Sequence, residues 1–357
     1  MSGLQAGAPF PTTGGCTGRT NVSTEHGPAL APATSTPLSV TGNPIDVVID
    51  KDNVAYVTTS EGMIYAFTLD TPGQRWQSTL QATPIVTASG SMVIAATGVL
   101  YAANDTEIHA FSTVDGSEIE PPLAALGTIN SDMDMLPGGR LVFTDTASQV
   151  ESMDTIPSLK TGPTGTLPNY VYSASYFANA VWVGDGLCNL WPLAPSNMQP
   201  QGSPLKETGQ YMVAVGGPDG KLRVFWSDNS GYTIAAIDPS NLSQSWMQNQ
   251  PSTSGTQGIA VTLDGTTWIT DPGTLHTFAS DGTPGPSWGN GVRFPAYDID
   301  GYVYFTQGSG ALGSADKTGA IRWNAPQYQD LLYAMVVAKN GILVGLGQQP
   351  TVYVYHP

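Results

Sequence analysis

Two carboxylates, Asp132 and Asp134, stand two residues apart in the stretch Ser131-Asp132-Met133-Asp134-Met135. On a strand that spacing puts both on one face, where they could ligate a hard cation such as calcium or share a proton as an acid–base pair. Arg293 offers the fixed guanidinium fork that orients anionic or polar groups. Tyr172, Tyr211 and Tyr333 offer a phenolic hydroxyl as proton donor and a flat ring as pocket wall. The plainer reading of the same residues is that they hydrate or plug a polar space. Asp298-Ile299-Asp300-Gly301 looks like a metal loop, but its counterparts Asp-Lys-Asp-Asn (50–53) and Gly-Pro-Asp-Gly (217–220) mark it as hairpin-turn chemistry. The spaced oxygen ligands of a calcium-binding helix–loop–helix are absent. The four histidines show no paired spacing, and two cysteines, Cys16 and Cys188, cannot build a zinc centre. No nucleophile elbow, zinc-protease helix, phosphate loop or dinucleotide fingerprint occurs.

Residues so far apart can meet only if the chain repeats. An apolar strand leads to a turn with Gly, Asp or Asn, then to a second strand with a large apolar anchor. The anchors are Tyr56, Tyr101, Phe143, Trp182, Phe225, Trp268, Tyr304 and Val344, separated by 45, 42, 39, 43, 43, 36 and 40 residues. A period near 40 with about four short strands per unit is the signature of a β-propeller blade. Eight anchors predict eight four-stranded blades. Seven is the alternative, because the fourth unit (169–193) is the least regular. The last unit supplies three strands before the chain ends at Pro357, so the segment around Leu38-Ser39-Val40 is expected to complete it. Residues 1–20 are expected to be a flexible lead-in and 21–357 the all-β propeller. The first strand of each blade lines the central channel, and Asp46, Ser91, Asp132 with Asp134, Tyr172, Tyr211, Gln257, Arg293 with Phe294, and Tyr333 open those strands. Arg293 belongs to the blade four units on from Asp132, hence across the ring.

The turns between third and fourth strands carry a further pattern. Ala236, Asp238 and Trp246, the stretch from Ala315-Asp316 through Thr318-Gly319 to Trp323, Ala66 to Trp76, and a looser copy closing at Trp288 repeat in phase with the period. This resembles the tryptophan-docking motif of the pyrroloquinoline-quinone-type propellers, over residues 15–357. The resemblance implies an indole packed on the neighbouring blade and a glycine permitting the turn. The quinone-dependent alcohol dehydrogenases of that family hold their cofactor beside adjacent cysteines and calcium. No adjacent cysteines exist here, so the quinone is not expected, and a divalent cation at Asp132 and Asp134 is the one cofactor the residues suggest.

Only 11% of the 357 residues are charged and the net charge is −16, without any basic run. That balance repels phosphate backbones and excludes nucleic acid as a partner. No apolar run approaches the ~20 residues of a membrane-spanning helix. The N-terminus lacks the basic and apolar regions of a signal peptide; the composition suits an exported protein, with a cytoplasmic one as the alternative. A monomer is expected. Three functions remain in view: a non-catalytic propeller binding a small molecule or protein at the channel face; a cofactor-free or metal-assisted lyase, cyclase or hydrolase in the channel; and, third, a quinone-dependent oxidoreductase.

Overall fold

The computed structural model describes residues 4–10, 12, 22–80, 91–209, 211–228, 231–250, 258–271, 273–307, 310–327 and 332–357. Eight antiparallel blades, numbered in chain order, stand in a ring, each with its first strand innermost; blades 1, 2, 5, 6 and 8 open with Pro44–Ile49, Met92–Ile94, Tyr211–Gly216, Gly258–Val261 and Leu332–Val337. Blade 3 runs through Asp134–Leu136, Arg140–Thr144 and Gln149–Asp154, and its outer position is split between Lys160–Thr161 and Gly165–Thr166. Blade 4, the irregular unit in the sequence, is complete: Val171–Phe177, Ala180–Asp185, Asn189–Leu193 and Leu205–Lys206. One long strand, Pro284–Tyr297, closes blade 6 and then opens blade 7. The ring is locked as expected: Thr34–Ser39 pairs with Thr351–His356, with Leu38 opposite Val352. This joins the two ends of the chain in blade 8 and covers its outer edge.

Each blade is a twisted sheet with two apolar faces, so burial is achieved between blades. Eight buried clusters follow, one per blade interface. All eight predicted anchors are buried on second strands. The docking tryptophans act across interfaces: Trp76 donates to Thr113 O and Trp246 to Ser280 O, each on the following blade. Gly116, Gly282 and Gly319 have positive φ, and a Cβ at any of them would collide with Trp76, Trp246 or Trp288 respectively. Glycine is therefore required twice over, by the turn and by the indole.

Toward the axis, side chains clip one inner strand to the next. Asp46 accepts from Met92 N, Ser91 from Met133 N and Asp134 from Tyr176 N, while Ser175 donates to Ala214 O. The N-terminal segment occupies the channel at the end where first strands turn into second ones. Leu4 bridges to Ala95, Phe10 to Ile49 and Thr12 to Val93, and all three are buried. Val22 bridges to Tyr297, and Ser23 donates to Val337 O. Within the lead-in expected to be flexible, Leu4–Phe10 and Thr12 thus pack on blades 1, 2 and 3. No helix among the described residues is long and apolar enough to cross a membrane.

Candidate functional site

The opposite mouth of the channel is built from the loops that enter each first strand and the turns joining second to third strands. Over blades 3 and 4 these elements interlock. In blade 3 the turn begins at Asp145, whose Oδ1 accepts from Ala147 N and Gln149 N, both at 2.9 Å. Blade 4 repeats the turn at Asp185, whose Oδ1 accepts from Leu187 N (3.0 Å) and Asn189 N (2.9 Å). Ser148 and Cys188 take the matching left-handed position, at φ 64° and 59°. An aspartate that holds its own backbone two residues on is what such a turn favours.

The incoming loop of blade 3 ends in Asn130, Ser131 and Asp132. Asn130 donates to Val171 O (2.9 Å), tying this loop to the first strand of blade 4, and Ser131 Oγ accepts from Thr144 N. Asp132 is thereby held half-buried beside the opening of the next strand. Tyr172 sits there on a β-bulge, where the register shifts between Val171 and Ser173. The bulge re-aims its ring to meet Tyr170 edge-on at 4.8 Å, above the turn glycine Gly186, whose N–H donates to Tyr170 O. Tyr170 and Leu187 are exposed, Leu187 by 65%. The rim thus presents two aromatic rings, an aliphatic side chain and one carboxylate within a few residues of each other.

Of the residues singled out from sequence, Asp132 and Tyr172 share this rim. Asp134 does not join them. It is fully buried, its two oxygens accept from Met135 N and Tyr176 N, and it acts as an interblade clip. The alternation that predicted two carboxylates on one face fails because Asp132 precedes the strand, which starts only at Asp134. Among the described residues no three His, Cys, Asp or Glu side chains are grouped to hold a metal ion. Tyr333 falls at a bulge like that of Tyr172, between Leu332 and Ala334. The side chains of Tyr211, Arg293 and Tyr333, together with Gln257 and Cys16, lie outside the described residues.

Beneath the rim is a feature the sequence reading passed over. Glu151 and Asp145 are both buried, and their carboxyl groups lie close enough to influence each other. Burial, together with the charge of Asp145, pushes Glu151 up to about 7, against the pull of the Leu126 amide. Glu151 Oε1 accepts from Leu126 N at 2.9 Å. The corresponding third-strand position carries Tyr65, His109 and Trp191 in blades 1, 2 and 4, each one pair inward from the turn residue. Aligning the repeats on these third strands would have exposed the lone acid. Arg223 was also missed: it is fully buried, clamped by Asp219, Thr267 Oγ1 and Gly265 O across blades 5 and 6, and set over the Trp246 ring. Its role is to join blades.

No protein-family model and no curated protein matches the sequence. Solved structures do match in shape. BamB from Moraxella catarrhalis aligns with 91% of this chain and 97% of its own at TM-score 0.66 and 14% identity. The quinohemoprotein alcohol dehydrogenase from Comamonas testosteroni aligns with 99% of this chain and 81% of its own at TM-score 0.73 and 12% identity. The Dos1 propeller aligns with 92% and 95% at TM-score 0.74 and 9% identity. The chain therefore shares a fold with quinone-type propellers, and its neighbours differ too much in function for the fold to name one.

Proposed function

We propose that this chain is a non-catalytic binding propeller that takes a small organic molecule or a protein segment on the rim over blades 3 and 4. The observation that carries this reading is the grouping of Tyr170, Tyr172 and Leu187 beside Asp132. Amphipathic rings with a convergent polar group are the usual make-up of a recognition site. Asp134, the only partner for Asp132 that the sequence suggested nearby, is committed to backbone amides, which supports a binding role for Asp132 over an acid–base or metal-ligating pair. A ligand other than a quinone is supported by Cys188, buried in the blade 4 turn, and by Leu4, Phe10 and Thr12, which bridge to the inner strands of two blades. The net charge of −16 supports a partner other than nucleic acid.

The test is a thermal-shift screen of the full chain against small aromatic, sugar and carboxylic-acid compounds, with calcium as a separate arm. A compound that stabilises the wild type and loses its effect with Tyr172→Ala is the expected result. Turnover of that compound, abolished by Asp132→Asn, would instead make the protein an enzyme and overturn the reading.

A further inference from the structure

We propose that Asp145 and Glu151 share one proton that fastens the loop 125–131, and that losing this proton as the pH rises loosens the loop presenting Asp132 at the channel mouth.

The geometry requires a proton. Asp145 Oδ2 is buried and has no donor among the surrounding N–H and O–H groups, whereas its other oxygen is used by the turn. Glu151 faces it and can supply a donor only when protonated. Gly127 lies against Asp145 so closely that a Cβ there would come within 2.7 Å of Oδ2, so the loop packs directly on this carboxyl. Glu151 holds the backbone of Leu126, Gly127 packs on Asp145, and the same loop pairs Ile129 with Asp145. The acid pair and the loop are therefore one unit. Two carboxylates in a dry site cannot both ionise cheaply, and burial pushes the Glu151 carboxyl up to about 7.

Few other charges face the pair. The loop 124–131 contains no titratable side chain. From the blade 2 turn, Asp105 gives its carbonyl to Ile129 N, and Glu107 Oε2 lies 3.7 Å from His109 Nε2. Within blade 3, Arg140 pairs with Asp154 at the far end of the sheet, with Lys160 opposite Asp154. Asp132 ends the loop itself. The folded-state value is raised, so the stabilisation is fully present below the ordinary glutamate range. It is lost as the pH climbs toward and through about 7.

The consequence for ligands rests on the rim being the binding face; the loop itself can be followed without any ligand. Hydrogen exchange of the peptide 124–133 in the full chain, corrected for the intrinsic pH dependence of exchange, is measured from pH 5.5 to 8.5. Wild-type protection is expected to fall by about tenfold or more between pH 5.5 and about 7 and to level off above that, one decade per pH unit below the midpoint being the limit for a single proton. Glu151→Gln should hold it level, because its amide gives Asp145 a permanent donor and still accepts from Leu126. The peptide over the blade 4 turn, 185–191, should stay level in both. A level wild-type profile, or one in Glu151→Gln that falls alike, overturns the proposal. Should that variant fail to fold, carboxyl-carbon NMR of the wild type decides: a Glu151 midpoint near 7 supports the shared proton, and one in the ordinary glutamate range ends it. Loss of ligand binding with an intact exchange profile would fault the binding reading alone.

Discussion

Blades 3 and 4 use the same turn to opposite electrostatic ends. Both start it with an aspartate, at 145 and 185, and both place a left-handed residue three positions on. Six positions on, blade 4 has Trp191, whose indole donates to Asp185 Oδ2, joined there by the amides of Asn169 and Asn189. Burial would push Asp185 up, but these donors outweigh it and hold its carboxyl below the usual range. Blade 3 has Glu151 at that place, an acceptor facing an acceptor unless a proton intervenes. One scaffold thus yields a charged, fully satisfied anchor in blade 4 and, in blade 3, an anchor whose second oxygen faces another acid. The difference lies in whether the third strand brings a donor or an acid to the same oxygen.

The strongest way to break this comparison is to remove each aspartate. Asp185→Ala strands the Asn169, Asn189 and Trp191 donors together with two turn amides, and should cost about 3–5 kcal/mol of unfolding free energy in urea. Asp145→Asn keeps the turn acceptor and gives Glu151 an N–H donor. At pH 8 it should stabilise by roughly 1–2 kcal/mol, with the gain vanishing toward pH 5. Equal losses in the two variants would mean that the turns are electrostatically alike after all.

A second experiment moves the acid across. Trp191→Glu installs the blade 3 pair in blade 4, at an expected cost of about 2–4 kcal/mol for the lost ring and donor. The new glutamate should have its carboxyl raised, so stability should decline as pH rises from about 5 to about 8, a slope the wild-type blade 4 lacks. Urea midpoints at several pH values read it, and a pH-independent penalty would show that Asn169 and Asn189 alone suffice to hold Asp185.

The smallest effect is expected at the surface. Leu187→Ser and Tyr170→Ala lie above the buried anchors and should change stability by no more than about 0.5 kcal/mol. The same two variants should abolish the stabilisation by whichever compound binds the rim. A large drop in melting temperature instead would recast this patch as packing for the turns beneath it.

Much of the architecture was legible in the chain itself. The anchors from Tyr56 to Val344 gave the blade count, because burying a twisted sheet on both faces demands a large apolar residue at each repeat. The closing strand near Leu38 followed from a last blade short of one partner, and the docking tryptophans from their recurrence in phase with the period. The site was less legible. Asp132 and Asp134 look alike in sequence, yet one ends a loop and the other clips two blades. Glu151 lies in Gln-Val-Glu-Ser-Met-Asp (149–154), a strand whose polar residues fall on both faces, so alternation alone does not single out the buried acid.

The sequence by itself determined the period, the fold and the way the ring closes, because these depend on apolar spacing and turn residues that act locally or repeat. Tertiary structure alone decided which acids are exposed, which hold backbone and which face each other. A carboxylate's chemistry is set by the donors and burial around it, and at Asp134, Asp145 and Asp185 those come from other strands, other loops or the neighbouring blade.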